Sequence, residues 1–190
     1  MNNHSYENIL KDCGAILDGH FKLTSGLHSG TYVEKFKLLQ YPGLTEKMCK
    51  DIAHHFEKSK PNVIVGAATG GIIISQWVAS HLGTRSIFAE RVDGKLEFKR
   101  GFDIKPGERV LVVDDVVTTG GSIYELIDLV AEKNGLLMGV GVLIDRSGNK
   151  VDFTVPYHSL LHLDISSYKP DECPLCADNV PMTTRGSTGK

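Results

Sequence analysis

Long apolar runs are missing from this chain. The longest, Leu136 to Ile144, is far too short to cross a bilayer. The first residues, MNNHSYENIL, have neither a basic segment nor an apolar one behind it, so nothing marks the chain for export and the cytoplasm is the expected location. An excess of one charge is missing too. With 21 Lys and Arg against 23 Asp and Glu, the net charge of −2 provides no basic field to draw the chain onto nucleic acid or anionic lipid. Cysteine is scarce: four residues in 190 make no disulfide framework. Cys173 and Cys176 form one CPLC pair, while Cys13 and Cys49 stand far apart, so the second close pair of a four-cysteine zinc site is lacking. The CPLC pair reads as an inert reduced pair in a loop. Internal repeats and low-complexity blocks are absent, as are the Gly-x4-Gly-Lys-Ser/Thr loop and a Gly-x-Gly-x-x-Gly turn after a strand.

What is present is the material of one soluble domain spanning 1–190, 41% apolar and 23% charged. A chain of this length buries roughly 70% of its unfolded surface and needs no staples. Apolar runs alternate with helical periods. Helices are expected over Ile9–Leu17, Leu44–Lys58, Gly71–Leu82 and Ser122–Lys133, the last closed by Asn134-Gly135. Strands are expected over Asn62–Ala67, Ser86–Glu90, Arg109–Asp114, Leu136–Ile144 and Ser159–Leu163. Val- and Ile-rich strands that alternate with helices imply crossover connections and a mostly parallel α/β sheet. Ligands bind such sheets beyond the carboxyl ends of the strands, which directs attention to the chain after Val65, Val113 and Ile144.

The second of these positions carries RVLVVDDVVTTGGS, running into the helical pattern IYELIDLVAEKNG. Gly120 and Gly121 permit close approach of backbone amides to a ligand, and Thr118, Thr119 and Ser122 add hydroxyl donors. The start of a helix adds unpaired N–H groups and partial positive charge, so the segment is an anion cradle. Asp114 and Asp115 repel phosphate but suit sugar hydroxyls or a magnesium ion. Phosphate, hydroxyls and a metal together describe a ribose 5-phosphate derivative. An acidic strand-to-helix turn with a hydroxyl cap would explain each residue singly. It explains poorly two adjacent acids followed by five small or hydroxylated residues.

VLVVDDVVTTGGS resembles the signature of the type I phosphoribosyltransferases, which bind phosphoribosyl diphosphate (PRPP). The resemblance implies a type I phosphoribosyltransferase fold: a central, mostly parallel sheet flanked by helices, with a small hood from roughly 1–40 and 155–190 over a core of roughly 41–154. It also implies that Asp114 and Asp115 contact the ribose hydroxyls directly or through Mg2+, that Val116 and Val117 line the PRPP site, and that Thr118 to Ser122 hold the 5-phosphate. Three further segments are similar to orotate phosphoribosyltransferases. They are HFKLTSGLHSGTYVEKFKLL (His20 to Leu39) at the base pocket, FAERVDGKLEFKRGF (Phe88 to Phe102) at the mobile catalytic loop, and LIDRSG (Leu143 to Gly148), with Arg146 where the family contacts the orotate carboxylate. The tail YKPDECPLC is similar to one bacterial branch, and the resemblance covers roughly 15–180. The chain departs from the family pattern in carrying Thr24 and Gly70 where many members have Lys, and Glu97 where the loop has His. Lys35 stands where it compensates for Thr24 in the base pocket, and Lys99 and Arg100 lie close to Glu97.

The chemistry implied is transfer of ribose 5-phosphate from PRPP to orotate, with Thr118, Arg146 and Lys35 at the base. Displacing diphosphate builds positive charge on the ring and negative charge on the leaving group. Arg91, Lys95 and Mg2+ would stabilise the latter, with Asp115 in the catalytic set. Asp93-Gly94 gives the loop a turn about which it could close and exclude water. A polar hairpin with solvated charges is the plainer reading of that loop, and pairing with Asp145 or Asp164 the plainer reading of Arg146. The family further implies a homodimer with shared sites. Competing functions are transfer to a purine base, PRPP sensing without chemistry, and PRPP synthesis. The last needs an ATP site and a longer chain, and a sensor would normally add a basic or DNA-binding segment.

Overall fold

The structure, a computed structural model, describes residues 3–23, 25–148 and 150–184. Helix α1 (Asn3–Asp12) is followed by strands β1 (Ile16–Lys22) and β2 (His28–Val33), an antiparallel pair with a register shift between Asp18 and Phe21. The sequence pattern predicts a helix through Leu17, but it stops at Asp12. Gly14 takes φ +68°, and Ile16 and Leu17 then pair with Val33 and Tyr32. Helix α2 (Lys35–Leu39) leads into α3 (Pro42–Phe56), where Pro42 occupies the first turn, the one place its missing N–H costs nothing.

The rest of the core alternates as expected: β3 (Val63–Ala67), α4 (Gly70–Leu82), β4 (Arg85–Val92), β5 (Lys95–Phe98), β6 (Arg109–Val117), α5 (Gly121–Glu132), β7 (Leu136–Asp145) and β8 (Tyr157–His162). They form a six-stranded sheet in the order β5-β4-β3-β6-β7-β8, parallel throughout except for β5. Strand β3 is apolar and buried at every position, and β6 and β7 carry long apolar runs, because both faces of the sheet are covered. Ile64, Leu111 and Val113 pack with Ile52, Phe56, Ile74 and Val78 of α3 and α4 on one face. Val63, Val65, Val110 and Val112 pack with Ile123, Leu126 and Val130 of α5 on the other.

The last segment contributes β9 (Ser167–Tyr168), the short helix α6 (Pro174–Ala177) and β10 (Met182–Thr184). With β1 and β2 these make a separate four-stranded sheet, β10-β1-β2-β9, built from the two ends of the chain. This hood sheet was not legible in the sequence. HSGTYV reads as polar, ILDGHFK carries the register shift, and β9 and β10 are two and three residues long.

Candidate active site

Strand β6 extends past the expected Asp114 to Val117, so both acids lie inside its last four residues; Asp114 pairs with Val142 and Val116 with Ile144. Asp115 is buried, at 2% exposure. The amino end of α4 closes on it: a Cβ added to Gly70 would lie 1.6 Å from Asp115 Oδ2, so only glycine permits this approach. The helix end supplies partial positive charge to the acid pair. Lys35, at the start of α2, reaches across from the hood side, with Nζ 3.0 Å from Asp115 Oδ1 and 2.9 Å from Oδ2. Burial pulls the Lys35 ammonium down, but Asp115 and Asp114 together more than offset this and hold its pKa above the ordinary value. Asp114 accepts a bond from the Asp115 N–H at 2.9 Å. Desolvation, reinforced by the Asp115 charge, pushes the Asp114 carboxyl up to about 7.

After β6 the chain turns through Gly120, whose φ of +79° places it in the left-handed region, and enters α5 with no side-chain cap. The first amides of α5 are therefore available to a ligand. Thr118, Thr119, Gly120, Gly121 and Ser122 line a cleft of about 290 Å³, together with Asp114, Val116, Val117 and Arg91. The PRPP-site residues expected from sequence thus converge on one cleft, with two exceptions. Asp115 faces Lys35 and Gly70 instead, and Lys95 does not line it.

The segment expected to be a mobile loop is the hairpin β4–β5, with Ala89 to Val92 paired to Phe98 to Lys95 and a turn at Asp93 (φ +48°) and Gly94 (φ +87°). Arg91 donates to the Gly94 carbonyl and, through two nitrogens, to the Glu125 carboxylate of α5 at 3.0 and 2.9 Å. That contact holds Glu125 below its usual range and docks the hairpin beside the cleft. Lys95 is exposed at the first position of β5. Lys99 pairs with Glu97 at 2.7 Å, and Arg100 grips Glu90 at 2.8 and 2.9 Å, so both are engaged within the hairpin.

Arg146 follows β7 and is tied to β6 by its backbone N–H, which donates to the Val117 carbonyl at 2.8 Å. Its side chain is half-buried, and its Nε is buried with no hydrogen-bond partner among the described residues. Burial lowers its pKa, partly opposed by Tyr32 of β2. The ion pairs with Asp145 or Asp164 are not formed among the described residues. Asp145 is taken by the Ser147 N–H at 2.7 Å and by His162 Nδ1 at 3.4 Å. Lys35, expected in the base pocket, sits on the acid pair. Thr24 lies outside the described residues. Sequence reasoning missed Tyr32 as a neighbour of Arg146 and Gly70 as the contact of Asp115, since neither residue type marks its own role.

A parallel sheet whose β6–α5 turn makes an anion cradle beside two acids defines a phosphoribosyltransferase. Accordingly, residues 43–153 match the phosphoribosyl transferase domain family. The chain is 47% identical to orotate phosphoribosyltransferase of Caldicellulosiruptor bescii over 190 residues, all of both chains, and 47% identical to that of Caldicellulosiruptor saccharolyticus over 98% of each. The crystal structure of orotate phosphoribosyltransferase from Aeropyrum pernix superimposes with a TM-score of 0.68 at 27% identity, covering 82% of this chain and 92% of that one. The chain belongs to the orotate phosphoribosyltransferases, a family of glycosyltransferases.

Proposed function

We propose that this enzyme transfers ribose 5-phosphate from PRPP to orotate, giving orotidine 5'-phosphate and diphosphate for pyrimidine biosynthesis. The observation that carries the choice of base is Arg146, a half-buried guanidinium whose Nε has no hydrogen-bond partner among the described residues. A stranded cation is costly unless its ligand is an anion, and orotate differs from other pyrimidines by its ring carboxylate. The backbone bond from Arg146 to Val117 ties it to the strand that ends in the phosphate cradle, so base and sugar sites adjoin. Thr118 borders the base, and Lys35 links base pocket and sugar site through Asp115.

The donor set fits Mg2+. Two carboxyl groups face one ammonium, and a divalent ion suits oxygen ligands of this kind. Asp114 and Asp115 are the residues to hold it, directly or through water, and the bound ion would supply positive charge to the leaving diphosphate. The chain's own part is positional and electrostatic. The amides and hydroxyls of Thr118 to Ser122 fix the 5-phosphate, and Asp114 takes the ribose hydroxyls. Arg91, released from Glu125, and Lys95 supply cations as the hairpin closes. The segments 1–40 and 155–190 serve as a hood over the core 41–154. The active form is a cytoplasmic homodimer, with the hairpin of one subunit over the other's cleft.

Arg146→Ala tests the base assignment. Turnover efficiency with orotate should fall on the order of a hundredfold, because a bidentate arginine–carboxylate pair is lost. PRPP binding measured without base should change little. Uracil should be a poor acceptor for the wild type and lose little more in the variant. Equal losses for both bases would assign Arg146 to structure or to PRPP.

A further inference from the structure

Away from the cleft, four side chains from the two ends of the chain converge: His20 on β1, His28 at the start of β2, and Cys173 and Cys176 at either end of the turn that forms α6. One nitrogen or sulfur from each lies within 4.8 Å of all the others. His20 Nε2 is 3.2 Å from His28 Nδ1, 3.6 Å from Cys173 Sγ and 3.7 Å from Cys176 Sγ, and Cys176 Sγ is 3.2 Å from His28 Nδ1. A tetrahedral zinc ion with Zn–N bonds of about 2.05 Å and Zn–S bonds of about 2.3 Å requires N···N, N···S and S···S edges of about 3.3, 3.5 and 3.8 Å. The four observed separations are within a few tenths of an ångström of the N···N and N···S values. We propose that His20, His28, Cys173 and Cys176 form a closed structural zinc site that staples the C-terminal segment to the hood.

The orientation of His20 supports a metal over a set of hydrogen bonds. Its Nδ1 lies 2.8 Å from the Val180 carbonyl, which can only accept, so Nδ1 carries the proton. In the neutral ring Nε2 is then a lone pair, and it faces the other three groups. A ring nitrogen held by a backbone carbonyl while its partner faces the ligand cluster is the usual outer-shell arrangement of a zinc-bound histidine. His20, His28 and Cys173 are 3–4% exposed, and of the four side chains Cys176 alone is open to solvent. Two thiolates and two neutral imidazoles also cancel the charge of one zinc ion, which makes its burial inexpensive. The Cys-x2-Cys spacing suits a zinc knuckle, with the Cys176 and Ala177 amides both donating to the Cys173 carbonyl at 3.2 Å. The sequence offered no second cysteine pair. The histidines take that place from strands roughly 150 positions away, which explains why an inert pair was the expected reading.

The four protein ligands leave no open position, so the ion holds structure and performs no chemistry. It fixes β1 against the segment that supplies β10, whose Met182 pairs with His20, and it fixes the start of β2, the strand that leads to Tyr32 and Lys35.

The test is the metal content of the untagged full chain, purified under reducing conditions without chelator. About one equivalent of zinc per chain is expected. After exchange, cobalt should give the strong visible absorption of a tetrahedral thiolate-ligated ion. Cys173→Ser/Cys176→Ser should lower zinc to background and the melting temperature by on the order of 5–10 °C. Should that variant not fold, His28→Gln must still weaken zinc retention against a chelating dye, and wild-type cobalt spectra stand alone. The site is overturned by wild-type protein that neither contains zinc nor takes up zinc or cobalt when reduced. It is equally overturned by zinc that persists in the double variant, or by a Cys173–Cys176 disulfide in the protein as purified.

Discussion

At the scale of the residue, the site keeps charges where folding alone would not. Asp114 has a folded pKa of about 7, raised from 3.8 by burial and the neighbouring Asp115. A raised carboxyl stabilises the fold fully only below its unfolded value, and that contribution disappears as pH climbs through 7. Ligand-free Asp114→Asn should therefore melt no lower than wild type at pH 8 while binding PRPP at least about tenfold more weakly, since charged partners are lost. Thermal melts and calorimetry read the two effects separately. A variant that is less stable at pH 8 but binds PRPP normally would make Asp114 a structural residue. The acid pair and the small-residue turn after it could be read from sequence, because such residues have few other reasons to follow a buried strand. The pairing of Lys35 with Asp115 could not: 80 positions separate them, and only the packing of the hood brings them together.

At the scale of the element, continuous apolar runs located the buried strands and a 3.6-residue apolar period located α3, α4 and α5, because burial imposes both. It lost β1, β2, β9 and β10, where one face is wet and pairing rather than burial sets the structure. The junction of α3 with β8 makes a pH prediction. His158 on β8 stacks on His55 of α3, with ring centroids 3.8 Å apart. Burial, then the charges of His55 and His162, lower its pKa from 6.5 to about 4. A depressed histidine stabilises the fold above its unfolded pKa, and this is lost as pH falls from 6.5 towards 4. His158→Phe keeps a stacking ring without a proton, so its melting temperature should fall less than that of wild type across this interval. Parallel curves for the two proteins would remove His158 as a source of acid sensitivity.

At the scale of the whole molecule, Lys95 lies outside the cleft of its own chain and exposed on a hairpin. In the proposed homodimer, a partner subunit's cleft would give such a cation its use. Mixing Lys95→Ala with Asp114→Asn chains should restore part of the activity that each homodimer lacks, because one site in the mixed dimer holds both intact groups. Mixed dimers as inactive as either parent would place the hairpin over its own cleft. The reaction itself is tested most directly by incubating the protein with PRPP, Mg2+ and orotate, uracil, adenine or hypoxanthine in turn, following diphosphate release. Rapid release with orotate, accompanied by orotidine 5'-phosphate, is expected, and little with the other three. Release with a purine in preference to orotate, or with no base at all, would rule out orotate transfer as the reaction.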